Sequence, residues 1–244
     1  MSAASSKGSS ATRRKRRYRS AQAVEHGGGF AVALDEARAK TPAGAEVVVQ
    51  SPALAEALAA EWRDQGEEID PGRMPFTRLA NAAIDRIGSA RQATIAALAA
   101  YAESDLLCYR AAGPPELIQA EENAWRPFLD WVRERYDAEL RVTSGIVPVP
   151  QPRDSIAKLV AALSAHDDMM LAGLHLATTS CGSLVLALAL AERRIGAGEA
   201  LELSLTDESF QAARWGVTAE HVARREALAR DIASAARFME LCRA

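Results

Sequence analysis

Residues 46–62, EVVVQSPALAEALAAEW, contain the point at which the sequence changes from strand to helix. Three consecutive valines are typical of a β-strand, because β-branched side chains pack well on a pleated sheet. Ser51 and Pro52 then supply a helix N-cap and a first helical residue. Beyond them, apolar side chains recur every fourth residue and share one helix face: Leu54, Leu58 and Trp62. The stretch predicts strands before residue 51 and helices after it.

The strand region extends toward the N-terminus. Phe30, Val32 and Leu34 alternate with small residues, which indicates a strand, and the glycine-rich residues 26–29 before them supply a turn. Residues 18–24 can supply a further strand. A meander of this size buries little apolar surface by itself, so we expect it to pack against the helical part of the chain.

The helical region fills the rest of the sequence. Helical periodicity predicts helices over residues 77–87, 89–103, 115–132, 154–165, 199–214 and 218–241. Residues 139–152 contain three prolines and predict an extended crossover. The uncharged stretch 169–191 has polar residues at its centre and charges at both ends. It therefore predicts two buried helices, or one helix broken near Gly182, instead of a membrane span.

Composition fits a helical protein with a moderate net charge. The chain has 244 residues, of which 49% are hydrophobic and only 5% aromatic, with a formal net charge of -3. Charge is uneven, however, since residues 1–20 contain seven basic residues and no acidic one. Such a tail could be an ordinary solvated segment or a mitochondrial transit peptide. It could also bind nucleic acid or an anionic membrane, with arginines on phosphates and Tyr18 stacking on bases.

Motifs for catalysis and metal binding are incomplete. Residues 26–29 spell the HGGG of some esterase oxyanion holes, but the chain has no G-x-S-x-G nucleophile motif and no phosphate-binding G-x-x-x-x-G-K-[ST] motif. Its four histidines are scattered, and its three cysteines show no C-x-x-C spacing. We therefore expect no catalytic residue, no metal and no cofactor, and a hydrolase is the weakest of the alternatives.

One predicted helix face combines a carboxylate with apolar residues. Five residues near the end of the 199–214 helix recur at steps of three or four: Leu201, Leu205, Glu208, Gln211 and Trp215. Glu208 could be paired with a buried arginine such as Arg78 or Arg110, or it could be an anion that contacts a partner at the edge of an apolar patch. A lone catalytic acid is a third alternative, without a second carboxylate to support it.

Three motifs in register carry a resemblance to a known family. They are residues 61–86 (EWRDQGEEIDPGRMPFTRLANAAIDR), residues 105–110 (DLLCYR) and residues 207–216 (DESFQAARWG). With these motifs, the chain resembles the ATP synthase F-one sector assembly factor two family, whose members are assembly chaperones of the catalytic sector. The resemblance covers residues 16–240.

The resemblance implies a fold of the α+β class that is mainly α. A small N-terminal β-containing domain (residues 16–60) would precede a larger orthogonal helical bundle (residues 61–244), with a disordered basic tail at residues 1–15. It also implies a non-enzymatic chaperone that binds the unassembled alpha subunit of the F-one sector, shields its beta-facing surface and releases it for hexamer assembly.

Two groups of residues are the predicted partner-binding sites. The first is Glu208 with Gln211, Arg214 and Trp215. The second lies in a proline-rich loop and the helix after it: Asp70, Met74, Arg78 and Asn81. The second group could instead lock two helices together. We expect a monomer that binds no nucleic acid and does not insert stably into membranes, located in the bacterial cytoplasm, or in the mitochondrial matrix if the source is eukaryotic.

Overall fold

The computed structural model describes residues 14–145 and 147–244, which contain short strands near the N-terminus and helices over most of the remaining length. The strands are β1 (Arg14–Lys15), β2 (Ala21–His26), β3 (Gly29–Leu34), β4 (Ala37–Arg38), β5 (Val48–Val49), β6 (Glu68–Ile69), β7 (Tyr109–Arg110) and β8 (Thr143–Ser144). The helices are α1 (Pro52–Arg63), α2 (Pro75–Ala82), α3 (Gly88–Glu103), α4 (Pro115–Tyr136), α5 (Arg153–Ser164), α6 (Asp168–Cys181), α7 (Leu184–Ala191), α8 (Ala197–Ser204), α9 (Thr206–Trp215) and α10 (Ala219–Cys242). The mainly α, α+β class is confirmed.

The main sheet is antiparallel and has β3 at its centre. β2 and β4 pair with β3, and β5 pairs with β3 as well. The predicted strands are present, although the strand expected at residues 18–24 begins at Ala21 and continues to His26. One face of the sheet packs on α1, whose N-terminus is capped by the Ser51 hydroxyl at 3.0 Å from the Leu54 nitrogen.

The last two residues of the predicted tail (residues 1–15), and basic residues just after it, take part in the fold. Arg14 and Lys15 form β1, which pairs antiparallel with β6. The Arg16 guanidinium donates to the carbonyl oxygens of Tyr18 and Arg63, each at 3.1 Å. Tyr18 is 9% exposed, and its hydroxyl donates to the Trp62 carbonyl at 2.7 Å. The chain from residue 14 onward is therefore fixed against the end of α1. Residues 1–13 lie outside the described part of the chain.

The centre of the helical region is formed by α6 and α7. Every residue of α7 is buried, and α6 packs against both α7 and α10. Gly182 lies between the two helices with a φ of +65°, a left-handed conformation that ends α6. The Ser183 hydroxyl then accepts the Leu186 N–H at 3.0 Å and caps α7. The prediction of two buried helices in the uncharged stretch is confirmed.

A buried carboxylate connects α7 to an earlier part of the chain. Asp105 is fully buried and accepts the backbone N–H groups of Leu107 and Val185, each at 3.1 Å. Burial raises the pKa of Asp105 to about 6, although hydrogen bonds to its carboxylate act in the opposite direction.

The helix predicted over residues 199–214 is two helices, α8 and α9, and this part of the prediction is wrong. Leu205 has a non-helical ψ of 21° and separates them. The Leu203 carbonyl is diverted from the helical pattern, since it accepts the indole N–H of Trp125 at 2.9 Å and the Thr206 hydroxyl at 3.0 Å.

Two other segments depart from simple helices. A π-helical segment, Ala83–Ile87, connects α2 to α3. The crossover at residues 139–152 contains β8, which pairs in parallel with β7, and the Gln151 amide holds Arg141 by accepting its backbone N–H at 2.8 Å.

The buried apolar residues of the sheet and of the helices form a single cluster whose members lie between Val32 and Leu241 in the sequence. The division into domains at residue 60 stays a prediction. Among the described residues, none of the helices combines the length and the apolar character needed to cross a bilayer.

Candidate functional site

A groove of about 640 Å³ lies between α9 and the N-terminal half of α10. We call it the α9–α10 groove. The buried side chains of Leu201 and Leu205 line one part of it, and Gly216 lies where the chain turns from α9 toward α10. Gly216 has a φ of +89° and a ψ of 170°, a conformation that is essentially restricted to glycine. The turn that separates the two walls therefore depends on this glycine.

Both walls of the groove are unusually exposed. No residue from 206 to 231 is buried, although this segment includes all of α9 and half of α10. Large apolar side chains on the walls face solvent, with Trp215 74%, Val217 62% and Val222 46% exposed. Contiguous exposed apolar surface of this kind on a soluble protein marks an interaction site.

Glu208 lies on the α9 wall and is exposed. Its carboxylate is 3.5 Å from the guanidinium of Arg224 on the α10 wall, and the two side chains are 48% and 62% exposed. The alternative of a buried ion pair with Arg78 or Arg110 is wrong. Arg110 is buried but pairs with Glu122 at 3.3 Å, and Arg78 is exposed.

The other residues of the first predicted group divide between two sides of α9. Gln211 and Trp215 line the groove with Glu208, and the Gln211 amide donates to Asp207 at 2.9 Å. Arg214 faces α4 instead, where its guanidinium is 3.9 Å from the Glu116 carboxylate and 5.0 Å from the centre of the Phe210 ring. Arg214 therefore connects α9 to α4 on the side of α9 that faces away from the groove.

The α10 wall was missed from the sequence. Val222 has the helical spacing of the core positions of α10, but it is exposed in the groove. Val217, His221 and Arg225 also line this wall. The two consecutive arginines after Val222 are a signal that this part of α10 faces solvent.

The second predicted group is divided between structural and surface positions. Met74 is 3% exposed and precedes α2, while the Asp70 carboxylate caps a short 3₁₀ turn by accepting the Gly72 N–H at 2.9 Å. Arg78 and Asn81 lie on α2 and line a second concave surface, between α2 and α6. The group therefore does not form a single site.

The first turn of α2 is fixed by α1. The Glu61 carboxylate accepts the backbone N–H groups of Phe76 and Thr77, both at 2.7 Å, together with the Thr77 hydroxyl. Burial raises the pKa of Glu61, and these hydrogen bonds oppose the shift. An acid from one helix thus caps the next helix and sets the direction of the face that carries Arg78 and Asn81.

Comparison with known proteins identifies the family. The family model described as ATP12 chaperone protein matches residues 15–133. The crystal structure of Atp12 from Paracoccus denitrificans is similar over 93% of this chain and 98% of its own, with 39% identity and a TM-score of 0.90. The chain belongs to the ATP12 chaperone family.

Other solved structures agree with this assignment. An Asp-to-Lys mutant of P. denitrificans Atp12p is 38% identical and has a TM-score of 0.90, over 93% of this chain and 97% of that one. Atu1473 from Agrobacterium tumefaciens is 36% identical with a TM-score of 0.89, and the match covers 93% of this chain and 86% of Atu1473. Membership of the ATP12 family supports a role as an assembly chaperone of the ATP synthase, and the family resemblance seen in the sequence is confirmed.

The stacking role considered for Tyr18 is not compatible with the fold of this ATP12 family member. Its ring is buried and packs edge-on against Trp62, with 5.7 Å between ring centres. Arg16 is similarly engaged with backbone carbonyls. Within the described ranges, the basic segment near the N-terminus therefore contributes to the fold through these two residues.

Two of the four histidines, His26 in the glycine-rich hairpin and His175 on α6, have surroundings that the structure describes. His26 is 2.8 Å from the Glu46 carboxylate, in the hairpin that carries the HGGG sequence. Burial lowers the pKa of His175, and the charge of Arg86 adds to this effect. In the part of the chain that the structure describes, no three His, Cys, Asp or Glu side chains are grouped closely enough to hold a metal ion.

Proposed function

We propose that this chain binds the unassembled alpha subunit of the ATP synthase catalytic sector, shields the surface that later contacts the beta subunit, and releases it for hexamer assembly. In this proposal the chain acts as a monomer without catalysis and without a cofactor. The location is the cytoplasm of a bacterium, or the mitochondrial matrix if the source is eukaryotic.

The observation that carries the proposal is the exposed apolar surface of the α9–α10 groove in a member of a chaperone family. Its two walls keep Trp215 and Val217 in contact with water, and a client with an uncovered apolar surface would bury both. Glu208 and Arg224 place opposite charges beside this surface. Charged groups at the rim of an interface fix its register and add little to its stability, which suits binding that must be reversed.

The first experiment tests the client. Isolated alpha subunit would be diluted into conditions where it aggregates, with and without an equimolar amount of this chain, and the complex would be measured by size-exclusion chromatography. Isolated beta subunit and an unrelated unfolding protein are the controls. Protection of the alpha subunit alone supports the proposal. Equal protection of all three proteins would indicate a general holdase, and no protection would contradict the proposal.

The second experiment locates the site with matched variants. Val217→Ser removes an exposed valine from the groove, and Val147→Ser removes a valine of similar exposure, 69% against 62%, that does not line it. We expect Trp215→Ala to weaken alpha-subunit binding about thirtyfold, because truncating a central aromatic anchor costs about 2 kcal/mol. Val217→Ser should weaken it about fivefold, because the loss of buried apolar surface costs about 1 kcal/mol. Val147→Ser should leave binding unchanged. Equal effects of the two valine variants would place the client elsewhere.

Charge reversal tests the role of Glu208. Glu208→Lys places two cations together across the groove, next to Arg224. We expect a folded protein with weaker binding of the alpha subunit. A variant that binds as well as the wild type would remove Glu208 from the site.

The basic tail provides the rival function, binding to nucleic acid or an anionic membrane. Deletion of residues 1–13, combined with glutamine at the exposed basic positions 14, 15 and 17, removes five of the seven basic residues of the tail and leaves Arg16 and Tyr18 in place. In the proposed function, this deletion leaves alpha-subunit binding unchanged. Loss of binding to a DNA duplex or to anionic vesicles on the same deletion, with a steep salt dependence in the wild type, would favour the rival.

A further inference from the structure

Each wall of the α9–α10 groove presents a stripe of residues with helical spacing. On α9 and the residue before it, lining residues recur at steps of three, four and three: Leu205, Glu208, Ala212 and Trp215. On the N-terminal half of α10 they recur at steps of three and four: Val222, Arg225 and Ala229. Alternating steps of three and four form the seam along which one helix packs on another. Both walls therefore have the side-chain pattern of a helix that receives a further helix.

The stripe on α10 continues into the core, where a helix of the chain itself covers it. The same steps lead from Ala229 to Ile232, Ala236 and Met239, and Ile232 and Met239 are buried. Met239 packs on Gly173 of α6 so closely that a Cβ atom at position 173 would overlap it. Along the N-terminal half of α10, the described chain buries no residue of the stripe. A helix in the groove would extend a packing that the chain already uses.

The walls favour an occupant that pairs its own backbone groups. Both walls are helices, and apart from the helix ends their N–H and C=O groups are bonded within each helix. Such walls do not offer the row of free backbone groups along which an extended segment adds as a strand. An extended segment that covered Trp215 and Val222 would take its own backbone out of water without gaining partners, which is costly. A helix has already paired these groups and can bury an apolar face without that cost.

Charges on the two walls differ in sign. Among the described lining residues, α9 contributes the acid Glu208, and α10 contributes Arg224, Arg225 and Glu226, a set with a net positive charge. Glu208 and Arg224 are 3.5 Å apart and both about half exposed, so exchanging each for a charged group of a ligand costs little. A ligand that complements both walls has basic residues on the side that faces α9 and acidic residues on the side that faces α10.

We propose that the α9–α10 groove binds an amphipathic helix of a protein partner, with an apolar stripe, one basic flank and one acidic flank. The bound helix is about three turns long, since the ten residues of α9 extend over about 15 Å. This inference deepens the proposed function, on which it rests for the identity of the partner as a client.

The test uses peptides of about 12 residues, stapled with a hydrocarbon link because free helices of this length are marginal in water. Three stapled peptides carry leucines at steps of three and four and have either one basic and one acidic flank, two basic flanks or two acidic flanks. A fourth, unstapled peptide has the composition of the mixed-flank peptide with leucine at every second position, the pattern of a strand. Fluorescence anisotropy of the labelled peptides measures their binding to the full chain. We expect the mixed-flank helix to bind about tenfold more tightly than the other peptides.

Two substitutions at adjacent positions locate the bound helix. Val222→Glu places a carboxylate in the α10 stripe, whereas Ala223→Glu places the same group at an exposed position that does not line the groove. Both positions are exposed, so both variants should keep the melting temperature of the wild type. We expect Val222→Glu to weaken binding of the mixed-flank helix about tenfold, because its charge would be buried, and Ala223→Glu to leave binding unchanged. Glu208→Lys makes both walls basic and should shift the preference to the helix with two acidic flanks.

Several results would overturn the inference. These are equal binding of the helical and strand-pattern peptides, equal effects of Val222→Glu and Ala223→Glu, an unchanged flank preference in Glu208→Lys, and no binding of any helical peptide. A dimer of the chain that Val222→Glu dissociates would also overturn it, because a second copy would then be the occupant.

The proposed function is measured separately, by the complex with intact alpha subunit. If that complex forms while no helical peptide binds, only the inference about the helix fails. If helical peptides bind in the groove while the complex does not form, only the alpha-subunit assignment fails.

Discussion

The helix α7 and the helix α9 are of similar length and differ in what covers their apolar side chains. All eight residues of α7 are buried, and none of the ten residues of α9 is buried. Leu188 is 0% exposed in α7, while Trp215 at the end of α9 is 74% exposed. The chain itself covers the first set, and we expect a client to cover the second. Apolar residues thus stabilise the monomer in one region and are available for association in the other.

Truncation of one side chain in each region gives the largest expected contrast. Leu188→Ala should lower the free energy of unfolding by about 3 kcal/mol, because it leaves a cavity in a closely packed core. Val217→Ala should change it by less than about 0.5 kcal/mol, since the side chain is already exposed. Urea titration of both variants measures the difference. A large loss of stability in Val217→Ala would mean that the groove is part of the folded core.

The buried carboxylate of Asp105, which bonds the first turn of α7, should make the stability of the chain depend on pH. The folded-state pKa of Asp105, about 6, lies above its ordinary value of 3.8 because the group is buried. Between these values the folded chain binds more protons than the unfolded chain, so this group makes the free energy of unfolding fall as pH rises. We expect the stability of the wild type relative to Asp105→Asn to fall, on the order of 2 kcal/mol, between pH 4 and pH 7.

The same titration of Val217→Ala is the control. That variant removes no titratable group, so its profile of unfolding free energy against pH should run parallel to that of the wild type. If Asp105→Asn showed the same profile as the wild type, the hydrogen bonds to Asp105 would cancel the effect of burial on its pKa.

Each of the two regions contains a glycine with a positive φ, and substitution of these glycines tests how much strain the backbone of each region tolerates. Gly182 and Gly216 have φ values of +65° and +89°, and a Cβ atom at either position would meet no atom within 4 Å. Gly182→Ala should cost about 1 kcal/mol, because the surrounding core holds the left-handed conformation. Gly216→Ala should cost more, about 2 kcal/mol, because its combination of φ and ψ is essentially restricted to glycine. It should change the fluorescence of Trp215, and an unchanged spectrum would argue that α9 is fixed.

The smallest expected effect concerns the ion pair across the groove. Glu208 and Arg224 are both about half exposed, and such pairs contribute from nothing to 1 kcal/mol. Arg224→Gln should therefore shift the melting temperature by no more than about 2 °C in low salt. A larger shift, removed by added salt, would show that the pair holds α9 and α10 together.

Most of the fold followed from local patterns in the sequence. The change from strand to helix at Ser51 was predicted, as was the interruption of the long apolar stretch near Gly182, because caps and glycine breaks act within a few residues. The split between α8 and α9 was not predicted. At this split, the indole of Trp125 donates to the Leu203 carbonyl, and Trp125 lies 78 positions earlier in the chain, beyond the reach of any local sequence pattern.

The candidate site was predicted on one wall only. The spacing of Glu208, Gln211 and Trp215 placed them on one face, and they line the groove together. Val222 shares the helical periodicity of the buried part of α10, yet it is exposed. Periodicity shows which side chains share a face, but burial depends on which elements pack there.

The length of α10 has a mechanical consequence. Its 24 residues extend over roughly 36 Å at the usual helical rise, and buried residues are found only from Ile232 onward. The C-terminal half of α10 is therefore held in the core, while its N-terminal half, which lines the groove, contains no buried residue. A client bound in the groove would restrict the motion of this N-terminal half. Because α10 is one continuous helix, the restraint would extend to Phe238 and Met239, which are buried in the core.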